Sequence, residues 1–357
     1  MPDDSSNLIK VSRPKIFVDG EENPSLAPGL LSLLIAETTS GLYRCEARFG
    51  NWGTSEEQTD FLYFDRATLD FGKQFQIKLD REVIFDGKIT GLEAHFPESS
   101  PPELVVLAED RFQDLRMTRR TRTFTDMSDS QIINQIAGDH GLSPQVSVSG
   151  PTYKVLAQVN QSDLAFLRER ARAIDAELWM DGNNLNVKSH SARTGTTLRL
   201  DFRANLRAFS VLADLAHQRT SLTVSGWDVA SKEGISFEAT ESAIREELNG
   251  DTSGASILSS AFGPRKEALV HTVPLSSQEA QTEAETYFKM SARRFVVGRG
   301  VAETTSDLRV GSYVNLQGLG PLFSGKYYLT DVQHLFDNCL GLRSEFTAER
   351  PGLGQTS

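Results

Sequence analysis

From Leu31 to Leu107 apolar and polar residues alternate with a period of two, and that alternation restricts the stretch to half-buried strands. In "QFQIKL" the side chains of Phe75, Ile77 and Leu79 share one face, which needs an apolar layer to cover it. "REVIFDGKITGLEAHF" continues the pattern. Its Asp86-Gly87 pair predicts a hairpin turn between Phe85 and Ile89, because glycine supplies the positive φ that a two-residue turn needs. "PESSPPEL" interrupts the run at Pro97, Pro101 and Pro102, which cannot donate to a strand ladder, and "LVVLAED" restarts it. Residues 1–110 are therefore expected to form an antiparallel sheet or barrel.

After Asp110 the period changes. "MSDSQIINQIAGDHGL" carries Ser128 as a helix N-cap with Gln131 three residues later, so each side chain can satisfy an orphan amide at the helix start. Ile132, Ile133 and Ile136 form its apolar stripe, and Gly141 closes it in the left-handed conformation. In "QSDLAFLRERARAIDAELWMDGNNLNV" Ser162 caps a second helix, and Asp163 places negative charge on its first turn. Leu164, Leu167, Ala171 and Ile174 give the buried face, with Arg168, Glu169 and Arg172 outside. Leu178 and Met180 then alternate into the turn "DGNN", and Leu185 and Val187 alternate out of it, which predicts a hairpin packed on the helix. Residues 111–196 thus form a small α+β insert.

Strands return at "TTLRLDF" and "QRTSLTVSGWDVAS", and residues 197–230 are expected to complete the first barrel, with Trp227 in a core or seam. "NGDTSGASILSSAFGPRK" is rich in Gly and Ser and is expected to be a long flexible loop. A helix is predicted over 277–293, started by Ser276 and Glu279, with Ala280, Ala284, Tyr287 and Phe288 inside. It belongs to a second β-barrel spanning 231–350, followed by a tail at 351–357. The fold class is α+β, mainly β.

The 357 residues leave room for two or three domains, and no apolar run approaches the roughly 20 residues that cross a bilayer. No stable membrane anchor is expected. The polar, acidic start "MPDDSSNLIKVSRPKIFVDG" lacks the basic and apolar segments of a secretory signal, so the chain is expected to fold in the cytoplasm. Cys45 and Cys339 are far apart and are expected to be two buried thiols. With a formal charge of -11, nucleic acid is not expected as a specific ligand. The exception to the acidic balance is "LRMTRRTRTF", where Arg116, Arg119, Arg120 and Arg122 suggest a solvated or subunit-facing basic loop rather than a phosphate site.

The search for chemistry returns no catalytic, cofactor-binding or metal-binding residues. His95, His140, His190, His217, His271 and His334 lack paired-ligand spacing, and no G-x-S-x-G elbow occurs. Glu56 with Glu57, and Glu246 with Glu247, are acids of the kind any acidic surface carries. The glycines of "VGRGVAET" and "LQGLGPLFSG" sit among strand patterns and are expected to serve turns. No cofactor is expected, and the balance favours a binding or structural protein over an enzyme.

The order of the parts carries a resemblance. "FDGKITGLEAHF", "LAEDRFQDLRMTRRTRTF", "MSDSQIINQIAGDHGL", "VNQSDLAFLRERARAIDAELWMDGNNLNV", "VSGWD" and "LRVGSYVNLQGLGPLFSGKYYLTDVQHLFD" follow one another between Ile16 and Arg350. In that order they resemble the phage late control D protein family, which includes contractile-tail baseplate hubs and the hub half of VgrG spike proteins. Its most specific parts are Gln161 to Val187 and the terminal pattern at Gly325, Tyr327, His334 and Phe336. The resemblance implies a homotrimer with two tube-type β-barrels per chain, forming a pseudo-sixfold ring. Such a ring would join the inner tube protein of a phage tail or injection system to a threefold spike, nucleate tube assembly and contact other baseplate proteins. Because "ERPGLGQTS" closes the sequence without the spike of VgrG proteins, a separate spike polypeptide is expected. The alternatives are a tail-associated peptidoglycan hydrolase, and a free-standing carbohydrate-binding β-protein using Trp52, Trp179 and Trp227.

Overall fold

One strand, Gly325–Asp337, organises the molecule, because it pairs on one side with Gly341–Arg350 and on the other with Leu30–Thr38. The computed structural model describes residues 13–55, 58–228, 231–270 and 274–355. A register shift between Leu329 and Asp331 turns the strand, so that Tyr327, Leu329 and Val332 enter one apolar core while Phe336 enters another. The two β-rich halves of the chain therefore meet in a single, mainly antiparallel 13-stranded sheet rather than standing apart.

In the N-terminal half the sheet continues from Leu30–Thr38 through Arg44–Gly50, Glu103–Glu109, Glu82–His95 and Gln74–Leu79 to Lys15–Val18. Alternation places Phe75, Ile77 and Leu79 inside with Ile16, Phe49 and Leu104. The hairpin turn falls at Asp80-Arg81, with Asp80 at φ +54, and not at Asp86-Gly87. Gly87 lies inside the strand Glu82–His95, where a Cβ would sit 2.3 Å from the Glu109 carbonyl. Its glycine answers a close backbone approach, which a turn rule misreads.

The expectation that 197–230 completes the first barrel is corrected by the pairing. Thr197–Asp201 lies beside Tyr313–Gln317 and Leu206–Ala213 beside Val296–Ala302, so both belong with the C-terminal half. Ser221–Asp228 pairs with Glu233–Thr240 and Lys266–Leu269 in a separate three-stranded sheet packed on the helix Ser277–Arg293. That helix starts where Ser276 accepts from the Glu279 amide at 3.2 Å, while the Glu279 carboxylate reaches back to the Leu275 amide at 2.8 Å. The Gly/Ser-rich stretch contains a helix, Gly254–Phe262, capped by Ser253, with Ala255 and Leu258 buried. Here an apolar face outweighs loop-like composition. Part of the predicted tail is ordered as well, since Gly352–Leu353 pairs with Thr252–Ser253. The glycines of "VGRGVAET" also depart from expectation. Gly298 and Gly300 lie within the strand Val296–Ala302, where a Cβ would fall 2.1 Å from Phe209 and 2.3 Å from Phe346.

Between the halves, residues from Phe112 to Val187 bury an apolar core of their own. Asp129–Asp139 begins with the capping box of Ser128 and Gln131, and Asp163–Ala173 begins with Ser162 accepting from Ala165. The hairpin Ala176–Asp181 and Asn184–Ser189 gains a third, parallel strand, Ser143–Ser147. A long two-stranded ribbon, Arg119–Ser128 with Thr152–Ser162, was not legible in the hydrophobic pattern because most of its side chains are exposed on both faces.

Candidate functional site

The insert's two connections to the sheet converge on one residue. Tyr43, in the turn before Arg44–Gly50, donates its amide to the Asp110 carboxylate at 2.9 Å and accepts the Asp110 amide at 3.0 Å. Its hydroxyl accepts from Arg193 at 3.0 Å, where the chain leaves the insert. Gly41 makes this approach possible: at φ +66, a Cβ there would meet Phe112 at 2.6 Å and the Leu178 carbonyl at 2.9 Å. Arg168 on the second insert helix completes the seam, donating to the carbonyls of Ser40 and Gly41 at 2.7 and 3.0 Å.

Around this seam lies a buried polar network. Glu177, on the first strand of the insert hairpin, accepts from His190 Nδ1 at 2.8 Å, Arg193 at 2.8 Å and the Tyr328 hydroxyl at 2.6 Å. Burial alone would raise its pKa. The His190 hydrogen bond and the charges of His190 and Arg193 outweigh that and hold the carboxyl below the ordinary range. Arg193 also donates to the Val310 carbonyl at 2.8 Å and stacks its guanidinium 4.3 Å from the Trp179 ring centroid. At the end of the long helix, Arg293 bridges Glu247 at 2.7 Å and Asp175, joining the C-terminal half to the insert. Glu37 of the N-terminal half pairs with Arg309 and accepts the Val310 amide at 3.2 Å.

These groups come from all three parts of the chain, so the arrangement fixes how the parts sit on one another. Its chemistry is that of a lock: a carboxylate saturated by three donors is a poor proton donor and a poor nucleophile. Sequence reasoning missed Glu177, Arg193, Arg293 and Tyr328 because partners such as Glu177 and Tyr328 lie 151 positions apart. No local period or spacing encodes such a contact.

Of the residues singled out in the sequence, Arg168, Trp179, His190 and Glu247 enter this seam and network, and the others fall elsewhere. Of the basic run, Arg120 and Arg122 both meet Asp163, at 3.2 and 2.6 Å, Arg116 meets Glu109 at 2.5 Å, and Arg119 donates to the Asn160 carbonyl at 3.3 Å. The run is a strand edge largely neutralised from within, not a free basic loop. His140 also contacts Asp163, while His334 is buried against the Ser344 hydroxyl at 2.7 Å, and burial lowers its pKa to about 3. Tyr327, His334 and Phe336 of the terminal pattern are all buried on the organising strand. Cys45 is buried, but Cys339 is exposed, in a turn ordered by Asp337. Trp227 is 51% exposed, contrary to a core or seam position, and Trp52 is exposed against Phe61. Glu247 pairs with Arg293, whereas Glu56, Glu57, His271 and residues 1–12 and 356–357 lie outside the described residues. Among the described residues no group of three or more His, Cys, Asp or Glu side chains is placed to hold a metal ion, and no helix is long and apolar enough to cross a membrane.

Solved structures share this architecture along nearly the whole chain. The 43 kDa tail protein of prophage MuSo2 from Shewanella oneidensis superposes with a TM-score of 0.68 at 12% identity, covering 95% of this chain and 98% of that one. A tail protein from Neisseria meningitidis superposes with a TM-score of 0.66 at 12% identity, over 96% and 98%. An E. coli component of the type VI secretion system, described as structurally similar to bacteriophage tail proteins, reaches 0.60 at 14% identity, over 96% and 79%. At these identities the likeness is one of fold, a mainly β fold of phage-tail and type VI secretion proteins. No curated protein matches by sequence. The sequence model of the Alg8 N-terminal domain matches residues 10–338, most of the chain, and the protein belongs to that family.

Proposed function

We propose that the protein is a structural baseplate hub of a contractile phage tail or a phage-derived injection system, of the late control D and VgrG-like type. Three copies close a ring that joins the sixfold inner tube to a threefold spike and nucleates tube assembly. It is made in the bacterial cytoplasm and built into the tail or baseplate beside other baseplate proteins. The observation that carries this reading is the superposition on a prophage tail protein over 95% of this chain and 98% of that one. The two β-rich halves sharing one sheet agree with two tube-type barrels per chain, and repeated copies in a closed ring would cover strand edges such as Leu206–Ala213.

The role is mechanical and not enzymatic. Two buried carboxylates, Glu177 and Glu247, are held by arginines below the ordinary range, the opposite of what a general acid needs. Mass measurement and electron microscopy of the purified chain test the reading: a threefold ring that binds tube and spike proteins is expected. A stable monomer that binds neither overturns it. Zymography on peptidoglycan is expected to show no clearing, and clearing abolished by one carboxylate substitution would favour the hydrolase alternative.

A further inference from the structure

Beside the polar network an open cleft of about 210 Å³ lies between the second insert helix, the long helix and the turn after Leu30–Thr38. Besides Arg293, its walls include three arginines, Arg168, Arg172 and Arg294. They differ from the other arginines of this region. Arg193 and Arg293 each have a close carboxylate, and the charges around them raise their pKa values against burial. Arg168 is bound to two backbone carbonyls and has no carboxylate in ion-pair contact among the described residues; burial lowers its pKa, and repulsion from Arg116 and Arg172 adds to that against the attraction of the more distant Asp110. Arg172 is exposed and forms no ion pair among the described residues, and Arg294 reaches Glu349 only at 3.8 Å. A part-buried guanidinium beside two more cations is a costly arrangement unless an anion completes it.

We propose that this cleft receives a carboxylate side chain, aspartate or glutamate, from an acidic segment of a partner protein. The size fits one side chain, being below the range of about 300–1,000 Å³ typical of sites for larger ligands. Arginine offers a planar fork matched to a carboxylate. Asp175, Glu177 and Glu349 also line the cleft, Asp175 held by Arg293, and their charge repels a dianionic phosphate more than a monoanionic carboxylate. Met290 and Ala171 supply an apolar wall for the methylene stem of the incoming side chain. The chain as a whole is at -11, so attraction of an acidic segment must be local to this cleft. That the occupant belongs to a protein rests on the hub reading; that the cleft takes a carboxylate does not.

The test is calorimetric titration of the full chain, at low salt, with an end-blocked triglutamate peptide, triglutamine and inorganic phosphate. Saturable binding of triglutamate is expected, with none of triglutamine, and phosphate weaker than triglutamate. Arg172→Glu and Arg294→Glu, both at exposed positions towards helix ends, should each weaken triglutamate at least tenfold with an unchanged unfolding midpoint, whereas Arg207→Glu, on the strand Leu206–Ala213, should not weaken it. No saturable triglutamate binding, tighter phosphate binding, or equal affinity in Arg172→Glu overturns the assignment. Solution mass reports separately on the hub reading: a monomer that still binds triglutamate sinks the hub and leaves the cleft standing.

Discussion

Asp163 and Glu177 are buried carboxylates of the same insert, each surrounded by arginine, histidine and one neutral donor, yet they hold different things together. Asp163 is met by Arg120, Arg122, His140 and Gln158, all from within the insert. Glu177 is met by His190 and Arg193 on the exit segment and by Tyr328 on the organising strand, and through Arg193 it reaches Tyr43 in the N-terminal half. Both are held below the usual carboxylate range against the burial that would raise them. The electrostatics are alike and the topology is not, so one centre shapes a module and the other fixes its pose.

The largest effect should come from the centre that spans the parts. Glu177→Gln leaves Arg193 buried without its counter-charge, and breaking a buried pair from one side costs about 3–5 kcal/mol. Denaturant unfolding should show that loss, and hydrogen exchange should quicken both in the insert hairpin and along Gly325–Asp337. Asp163→Asn should cost less, about 1.5–3 kcal/mol, since Arg120 and Arg122 remain partly solvated when their acceptor loses its charge. Its faster exchange should stop at the insert. Equal spread of exchange in the two variants would break the comparison.

How much of this was legible follows the same division between local and long-range contacts. Helix starts at Ser128, Ser162 and Ser276 could be read because a cap and its amide lie three residues apart. The alternation of Phe75, Ile77 and Leu79 fixed a face for the same reason. The arginine run was visible, but its neutralisation by Asp163 and Glu109 was not, because strand pairing supplies Asp163 and a neighbouring strand end supplies Glu109. Asp86-Gly87 and the Gly/Ser stretch failed differently: a local rule gave one answer and packing against Glu109, or burial of Ala255 and Leu258, imposed another. Nothing in the spacing of Glu177, Arg193 and Tyr328 marks them as a site.

Asp110 sharpens the comparison with a third buried carboxylate. Its donors are the backbone amides of Tyr43 and Phe112, both at 2.9 Å, and among the described residues no cation is in contact, so burial prevails over these amides and the more distant Arg168 charge and its pKa rises to about 7. An aspartate is near 3.9 when unfolded, so between roughly pH 4 and 7 the folded chain binds the extra proton. Stability from this group is therefore present at low pH and lost as pH rises through that window. His334, lowered to about 3, acts oppositely, because the unfolded chain protonates first as pH falls below about 6.5. The difference between wild type and Asp110→Asn isolates the aspartate. Raising pH from 5 to 7 should destabilise wild type relative to Asp110→Asn by about 2 kcal/mol. A constant difference across that range would show that Asp110 is ionised throughout.

The smallest effect belongs to Arg119. Its neighbours in the basic run are held by carboxylates, but Arg119 is exposed and, among the described residues, donates to the Asn160 carbonyl and to no carboxylate. Arg119→Glu should therefore change unfolding free energy by less than about 0.5 kcal/mol, as for a surface position outside any network. Assembled mass should also be unchanged, because a charge at an open strand edge is screened unless a partner desolvates it. A fall in assembled mass with an unaltered unfolding midpoint would instead put Arg119 at a subunit seam. The run would then divide three ways: Arg120 and Arg122 would serve the Asp163 centre, Arg116 would tie the insert to the sheet through Glu109, and Arg119 would serve the ring.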